Sequence, residues 1–222
     1  MKKLLSVAVL LAVSSFGIGC VSYPIVKPDA FRPTQKVAVI SFDSEAITGG
    51  TLGMPLQVEL SKPYKAFRED LSRSQVFDLI ATEALQSSRI YNSVPPPPMD
   101  IGTAAPGLRR AFFNPSSYPE LARELGADIL VVVHHNPTVQ PGIQVMGVGS
   151  SSVSVITQLT AYSADGQQIW TDVLNTSSDS FPNAGSVMDP NAVMNGALQA
   201  SQLAARQLVG RLNAKLAAAP TP

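Results

Sequence analysis

Cysteine is almost missing from this chain: Cys20 is the only one in 222 residues. No intrachain disulfide can form, although an exported domain would ordinarily use cysteines in pairs. Excess charge is missing too. The 16 basic and 16 acidic residues balance, and after Lys2-Lys3 the only basic doublet is Arg109-Arg110. This leaves no electrostatic case for nucleic acid or an acidic surface as a partner. After the first twenty residues no run is long and apolar enough to span a membrane as a helix. GxSxG, Walker, HExxH and dinucleotide-binding motifs are all absent, and Gly147-Val148-Gly149 lacks a phosphate-loop context and reads as a hairpin or bend. The two histidines, His134 and His135, are adjacent. On a strand their side chains leave on opposite faces, so they make a poor joint metal site and are expected to be solvated at a strand end. Asp43 is expected to be a turn or cap residue after the first strand. No catalytic residue, metal or cofactor is expected, and the chain is not expected to be an enzyme.

What is present begins at the amino terminus. Lys2 and Lys3 precede an apolar run, Leu4 to Val13, of signal-peptide length. Phe16-Gly17-Ile18-Gly19-Cys20 follows. The pattern resembles a bacterial lipoprotein signal, in which a small residue precedes a cysteine that is acylated and becomes the new amino terminus. Gly17 stands where that family usually has Leu, and Gly17-x-Gly19 is also a pattern that an ordinary signal peptidase could cut, leaving a free thiol. The lipoprotein resemblance implies residues 1–19 as signal, Cys20 as the lipidation site, and a palmitate-type acyl anchor. Val21 after the cysteine implies sorting to the outer membrane, facing the periplasm. Stable anchorage needs more than one acyl chain, since each buried CH₂ gives only about 0.8 kcal/mol. The signal holds two basic and no acidic residues, so the remaining 203 residues carry net −2, enough chain for one domain with a real core.

Residues 20–35, with Pro24, Pro28 and Pro33, read as an extended tether. Lys36 to Phe42 (KVAVISF) reads as a buried first strand. A capping box at Ser72 and Gln75 predicts a helix to about Ser88, with Phe67 and Leu71 continuing its stripe upstream. Ile90 to Val94 reads as a short strand ended by Pro95 to Pro98. Met99 to Pro115 is a long irregular segment. Its Arg109, Arg110, Phe112 and Phe113 either tuck the loop onto the body or form a contact loop for a partner, since Arg and aromatics are enriched at interfaces.

Ser117 and Glu120 form a second capping box, with Pro119 in the first turn and Gly126 as left-handed cap. Asp128 to Val133 (DILVVV) reads as a central strand. From Ser151 to Tyr162 the chain alternates. Val153, Val155, Thr157, Leu159 and Ala161 point one way, and Ser154, Ile156, Gln158, Thr160 and Tyr162 the other. Asp165-Gly166 marks a hairpin turn, and Gln167 to Leu174 returns as the last strand, with Ile169 and Val173 opposite Trp170. After a polar loop, Asp189-Pro190 starts a final helix with a stripe of Val193, Ala197, Ala200, Ala204, Leu208 and Leu212.

The expected fold is therefore α/β: one three-layer domain, a mixed sheet of about five strands flanked by helices, in the order strand-helix-strand-helix-strand-strand-strand-helix. KVAVISF, ELGADILVVV (Glu124 to Val133) and LTAYSADGQQIWTDV (Leu159 to Val173) together resemble the family of the TolB amino-terminal domain, the curli-export lipoprotein and the LpoB-type lipoprotein. The resemblance spans about residues 36–217, leaves Met99 to Pro115 unmatched and ends before the tail 218–222. It implies a non-enzymatic envelope lipoprotein, anchored in the membrane by its N-terminal lipid, that binds an envelope protein and in some members self-assembles into rings. An exporter ring would place Pro137 to Tyr162 in the bilayer. That stretch has no aromatic girdle before Tyr162 and reads instead as an ordinary soluble hairpin.

Overall fold

The computed structural model describes residues 25–32, 34–44, 60–74, 77–93, 115–145, 148–184 and 189–218. Its strands are β1 (Ile25–Val26), β2 (Gln35–Ser44), β3 (Phe77–Leu79), β4 (Ile129–Val145), β5 (Val148–Ser163), β6 (Gln168–Ser177) and β7 (Phe181–Ala184). Its helices are α1 (Ser61–Ser72), α2 (Thr82–Ser87), α3 (Arg89–Ser93), α4 (Tyr118–Leu125) and α5 (Pro190–Ala218). The sheet order is β1-β6-β5-β4-β2-β3, with β7 added beside the far end of β5. β2 is parallel to β3 and β4, and the other pairs are antiparallel. The fold is α/β, but among the described residues the sheet has seven strands where about five were expected. β1 and β7 are too short, at two and four residues, to show a period of their own.

Two cores explain the three layers. On one face Val37, Val39 and Phe42 of β2, with Ile129, Val131 and Val133 of β4, pack under α1 and α5. On the other, Ala38, Ile40 and Leu130 meet Leu85, Tyr91, Tyr118 and Leu121 from α2, α3 and α4. A bulge between Val39 and Ser41 changes the parity of β2, so Val39 and Phe42 face the same way. The helix α5 is 29 residues, about 43 Å at 1.5 Å per residue. Its whole anticipated stripe, Val193 to Leu212, is buried. Small residues let it lie close to the sheet, and the Thr176 hydroxyl on β6 donates to the Ala200 carbonyl at 2.8 Å.

Several sequence expectations are corrected. The helix expected from Ser72 to Ser88 is divided. Its upstream stripe, Phe67 and Leu71, belongs to α1, which ends at Ser72, whose hydroxyl donates to the Glu69 carbonyl at 2.8 Å. Phe77–Leu79 is a strand, drawn out by parallel pairing with Gln35 to Val37. Arg89–Ser93 is helical where a strand was expected, because its start is capped from afar. The Glu124 carboxylate on α4 accepts from Arg89 N (2.7 Å), Ile90 N (3.0 Å) and Ser88 Oγ (2.9 Å), while Ser88 Oγ accepts from Tyr91 N at 2.9 Å. These bonds also pull the Glu124 carboxyl below its usual range, the Ile90 amide contributing most.

The helix α4 ends on Gly126 at φ +63°, as expected, but the Ser117 side chain makes no capping bond. Asp43 lies inside β2, paired with His134, instead of after the strand. Within the supposed tether, β1 pairs with β6 and the Lys27 N–H donates to the Ile169 carbonyl at 2.9 Å. Ile169 and Trp170 are both buried in one core, against the alternation expected, because a bulge at this point adds a residue to β6. β6 is not the last strand; β7 follows within the polar loop.

Candidate functional site

Cys20 and the segment with Arg109, Arg110, Phe112 and Phe113 lie outside the described residues, so the geometry of the chain has to be searched elsewhere. Among the described residues no group of three or more His, Cys, Asp or Glu is placed to hold a metal, and no helix is long and apolar enough to cross a membrane.

The feature that stands out is the β4–β5 hairpin. Its strands are 17 and 16 residues long, and β2 accompanies β4 only as far as His135. The remainder is an arm that runs past the central sheet, supported by α5 and β7. Between Asp128 and Asp165 the sequence contains no Asp, Glu, Lys or Arg, a 36-residue gap in a chain with 32 such residues. This run was readable in the sequence and is the signal that would have singled the arm out.

The arm has two unlike faces. Val153, Val155, Thr157, Leu159 and Ala161 are buried towards α5, as their alternation indicated. On the outer face the register lines up Thr138-Ser154-Ser177, Asn136-Ile156-Asn175 and His134-Gln158-Val173 across β4, β5 and β6. Ile156, Gln158, Asn175 and Ser177 are exposed, with Ile156 at 42%. The Ser154 hydroxyl donates to Asn175 Oδ1 at 2.5 Å, which ties two strands together on that face. Nearer the central sheet the face is closed by α4, where Tyr118 and Tyr162 meet at 4.6 Å between ring centroids. The open part is an uncharged, hydrogen-bonding surface about 10 Å wide between β4 and β6.

The edges are less available than the face. Pro137 and Pro141 lie on β4 beyond β2. Val153 O accepts from Ser178 N at 2.8 Å, so the odd residues of β5 turn their backbone polar groups towards β6. Pro137, opposite Val155, therefore has its nitrogen on the outer edge, where it costs no ladder bond and blocks an added strand. On the other side β1 takes up Trp170 and Thr171 of β6.

His134 and His135 are in mid-strand, not at a strand end. They do point to opposite faces. His135 is fully buried. Its Nδ1 is 2.6 Å from Thr157 Oγ1, its ring meets Phe42 edge-on at 4.9 Å, and Nε2 has no hydrogen-bond partner. Burial, with a smaller effect from His134, pushes its pKa down to about 3. It is a neutral core residue. Asp172 is also buried, with Oδ1 accepting from Arg211 Nη1 at 3.0 Å. Burial raises its pKa, and Arg211 opposes that rise. A groove of about 370 Å³ between α1 and α5 holds Glu69, Asp70, Arg73 and Arg206. Asp70 lies 2.8 Å from Arg73 at the end of its own helix and 3.9 Å from Arg206 on α5, so it pairs both within α1 and across to α5.

Comparison with known proteins adds shape and little else. No protein-family model matches the chain. No curated protein matches it either. Solved structures do. The hypothetical protein CT253 from Chlamydia trachomatis is 15% identical with a TM-score of 0.41, over 83% of this chain and 95% of that one. Lipoprotein GNA1162 from Neisseria meningitidis is 12% identical with a TM-score of 0.39, over 84% and 100%. E. coli LpoB is 13% identical with a TM-score of 0.33, over 68% of this chain and 59% of that one. Bacterial lipoproteins are thus among the chains of similar outline. At such scores the likeness carries no inference about what this chain binds.

Proposed function

We propose that this chain is a lipoprotein of the bacterial outer membrane, acylated at Cys20 and facing the periplasm, that acts as a non-enzymatic binding module for another envelope protein in assembly or secretion. The observation that carries the reading is the open, uncharged outer face of β4, β5 and β6. Interface centres are depleted of charge, and a rigid sheet face presents hydrogen-bonding groups at little entropic cost. The apolar run Leu4 to Val13, followed within seven residues by a lone Cys20, supports the address. Arg109, Arg110, Phe112 and Phe113 are residue types suited to add to the contact.

In-cell photo-crosslinking tests it. A crosslinker at Gln158 or Asn175 should capture a discrete envelope protein, and one at exposed Gln207 on α5 should not. Equal capture from all three positions, or from none, refutes the face. Cys20→Ser should release the protein from membranes, and Arg109→Glu with Arg110→Glu should weaken capture without unfolding.

The length of the β4–β5 arm favours one second reading, a subunit of an exporter-like ring. Crossing a bilayer takes about 9–11 residues per strand, fewer than either strand has. A large oligomer after detergent extraction would decide for the ring, and a monomer or dimer for the module.

A further inference from the structure

We propose that the groove between α1 and α5 binds the carboxyl-terminal residue of a peptide. The groove lies on the helical side of the sheet, away from the open face of β4, β5 and β6, so it stands or falls independently of that face. Gly210 is the first sign of it. Near Gly196 the helix α5 is packed so closely that a β-carbon would press on Val153 and Phe181. Gly210 has no such reason. It is exposed, and a β-carbon on it would meet nothing within 4 Å. Glycine inside a helix weakens it relative to alanine, so the position is kept at a cost. What the missing side chain does is leave the α5 backbone bare along the groove of about 370 Å³, beside buried Ala66 and Val209. Bare backbone suits a ligand that lies close against it.

The polar groups of the groove are incompletely matched. Asp70 Oδ1 accepts from Arg73 Nη1 at 2.8 Å, but Asp70 Oδ2 is buried with no hydrogen-bond partner. Arg206 Nε is 3.9 Å from it, an ion-pair distance and too long for a hydrogen bond. Among the described residues Arg206 has no closer partner. An unused acceptor and an unused fork of N–H donors therefore sit side by side.

Charge favours an anion here. Lys65, Arg73 and Arg206 face Glu69 and Asp70, three cations against two anions. Around them, residues 61–73 and 190–218 together carry seven Lys or Arg and two acidic residues, whereas residues 129–205 carry no Lys or Arg. Arg211 among the seven is matched by Asp172 of β6. A chain of balanced composition thus presents one positive helical face, which draws anions towards the groove.

One ligand chemistry uses all of these features. A carboxyl-terminal residue brings a carboxylate to the Arg206 guanidinium, in the forked pairing that Arg favours. A few bonds away its amide N–H donates to Asp70 Oδ2. Its side chain rests on Ala66 and Val209, and its main chain passes Gly210. About 370 Å³ is small for a ligand site and suits about one or two small residues.

The test titrates N-acetyl-alanyl-alanine into the full-length protein and follows the Gly210 and Asn213 amides by NMR. Both signals should move to saturation. The same dipeptide with its carboxylate capped as an amide should bind about tenfold or more weakly, having lost the charge-assisted pair. Arg206→Gln should weaken binding by a similar factor. Gly210→Leu should abolish binding while leaving the urea midpoint equal or higher, since Leu is the better helix former and enters open space. No movement of either signal, equal binding of the acid and its amide, or binding that survives Gly210→Leu overturns the site. Acetate acting as well as the dipeptide shows a bare anion site and overturns the peptide ligand. Two alanines added to the tail of a folded carrier protein separate two sources of the ligand. Binding by carrier and dipeptide alike assigns a protein's tail, and binding by the dipeptide alone a free peptide.

Discussion

Mild acid should weaken this fold through one imidazole. His135 is sealed between β2, β4 and β5, with Phe42 edge-on to its ring and Thr157 as its hydrogen-bond partner. Its pKa is depressed to about 3, against about 6.5 in an unfolded chain. Between those values the unfolded chain binds the proton and the native one does not, so stability present above about pH 6.5 is lost as pH falls towards about 3. One pKa unit is worth about 1.4 kcal/mol, so the loss is on the order of 1 kcal/mol near pH 5.5 and on the order of 3 kcal/mol near pH 4.5. That is a large fraction of the roughly 5–15 kcal/mol typical of a domain.

Urea unfolding of wild type and His135→Asn across this range isolates the effect. Asn keeps a polar atom near Thr157 but cannot titrate. The depressed Glu124 and Asp165 and the raised Asp172 titrate in both proteins and cancel in the difference. The variant should start less stable and lose on the order of 3 kcal/mol less on acidification to about pH 4.5. Parallel pH profiles would refute the reasoning, and so would an NMR titration showing His135 charged in the native state at about pH 6.

Gly196→Val should cost about 1–3 kcal/mol, read as a lower urea midpoint, with Gly196→Ala milder. A β-carbon there would lie 3.1 Å from Val153 Cγ2, 3.1 Å from Ser178 Oγ and 3.3 Å from Phe181 Cε1. Arg211→Leu should destabilise by about 1–2 kcal/mol, a figure discounted because the Arg211 side chain is 44% exposed. That loss should be greatest at alkaline pH and shrink as Asp172 takes up a proton, because burial already raises its pKa. Glu124→Ala should speed hydrogen exchange at the Arg89 and Ile90 amides while leaving those of β4 slow, since it removes the acceptor at the start of α3.

Elements whose signals are local were legible from the residues. β2 declared itself by a β-branched run, α4 by Gly126, the β5–β6 turn by Asp165-Gly166, and α5 by its apolar stripe. The outer face was half legible. Alternation put Ser154, Ile156 and Gln158 on one side, but nothing local said which side would be covered. The break at Ser72 was hidden because Phe67, Leu71, Phe77 and Leu85 keep a helical spacing across three separate elements.

By itself, then, the order of residues determined the α/β class, most strand and helix centres, the lone Cys20 behind an apolar leader, and an arm free of charge. Tertiary structure alone decided the rest. Pairing with β2 made Phe77 to Leu79 a strand, and a carboxylate 34 to 36 residues downstream made Arg89 to Ser93 a helix. Long-range packing sealed His135, and bulges in β2 and β6 changed which side chains share a core. The physical reason is the same in each case. A period or a cap is written over a few neighbouring residues, whereas burial, pairing and remote capping depend on groups that meet only after the chain has closed on itself.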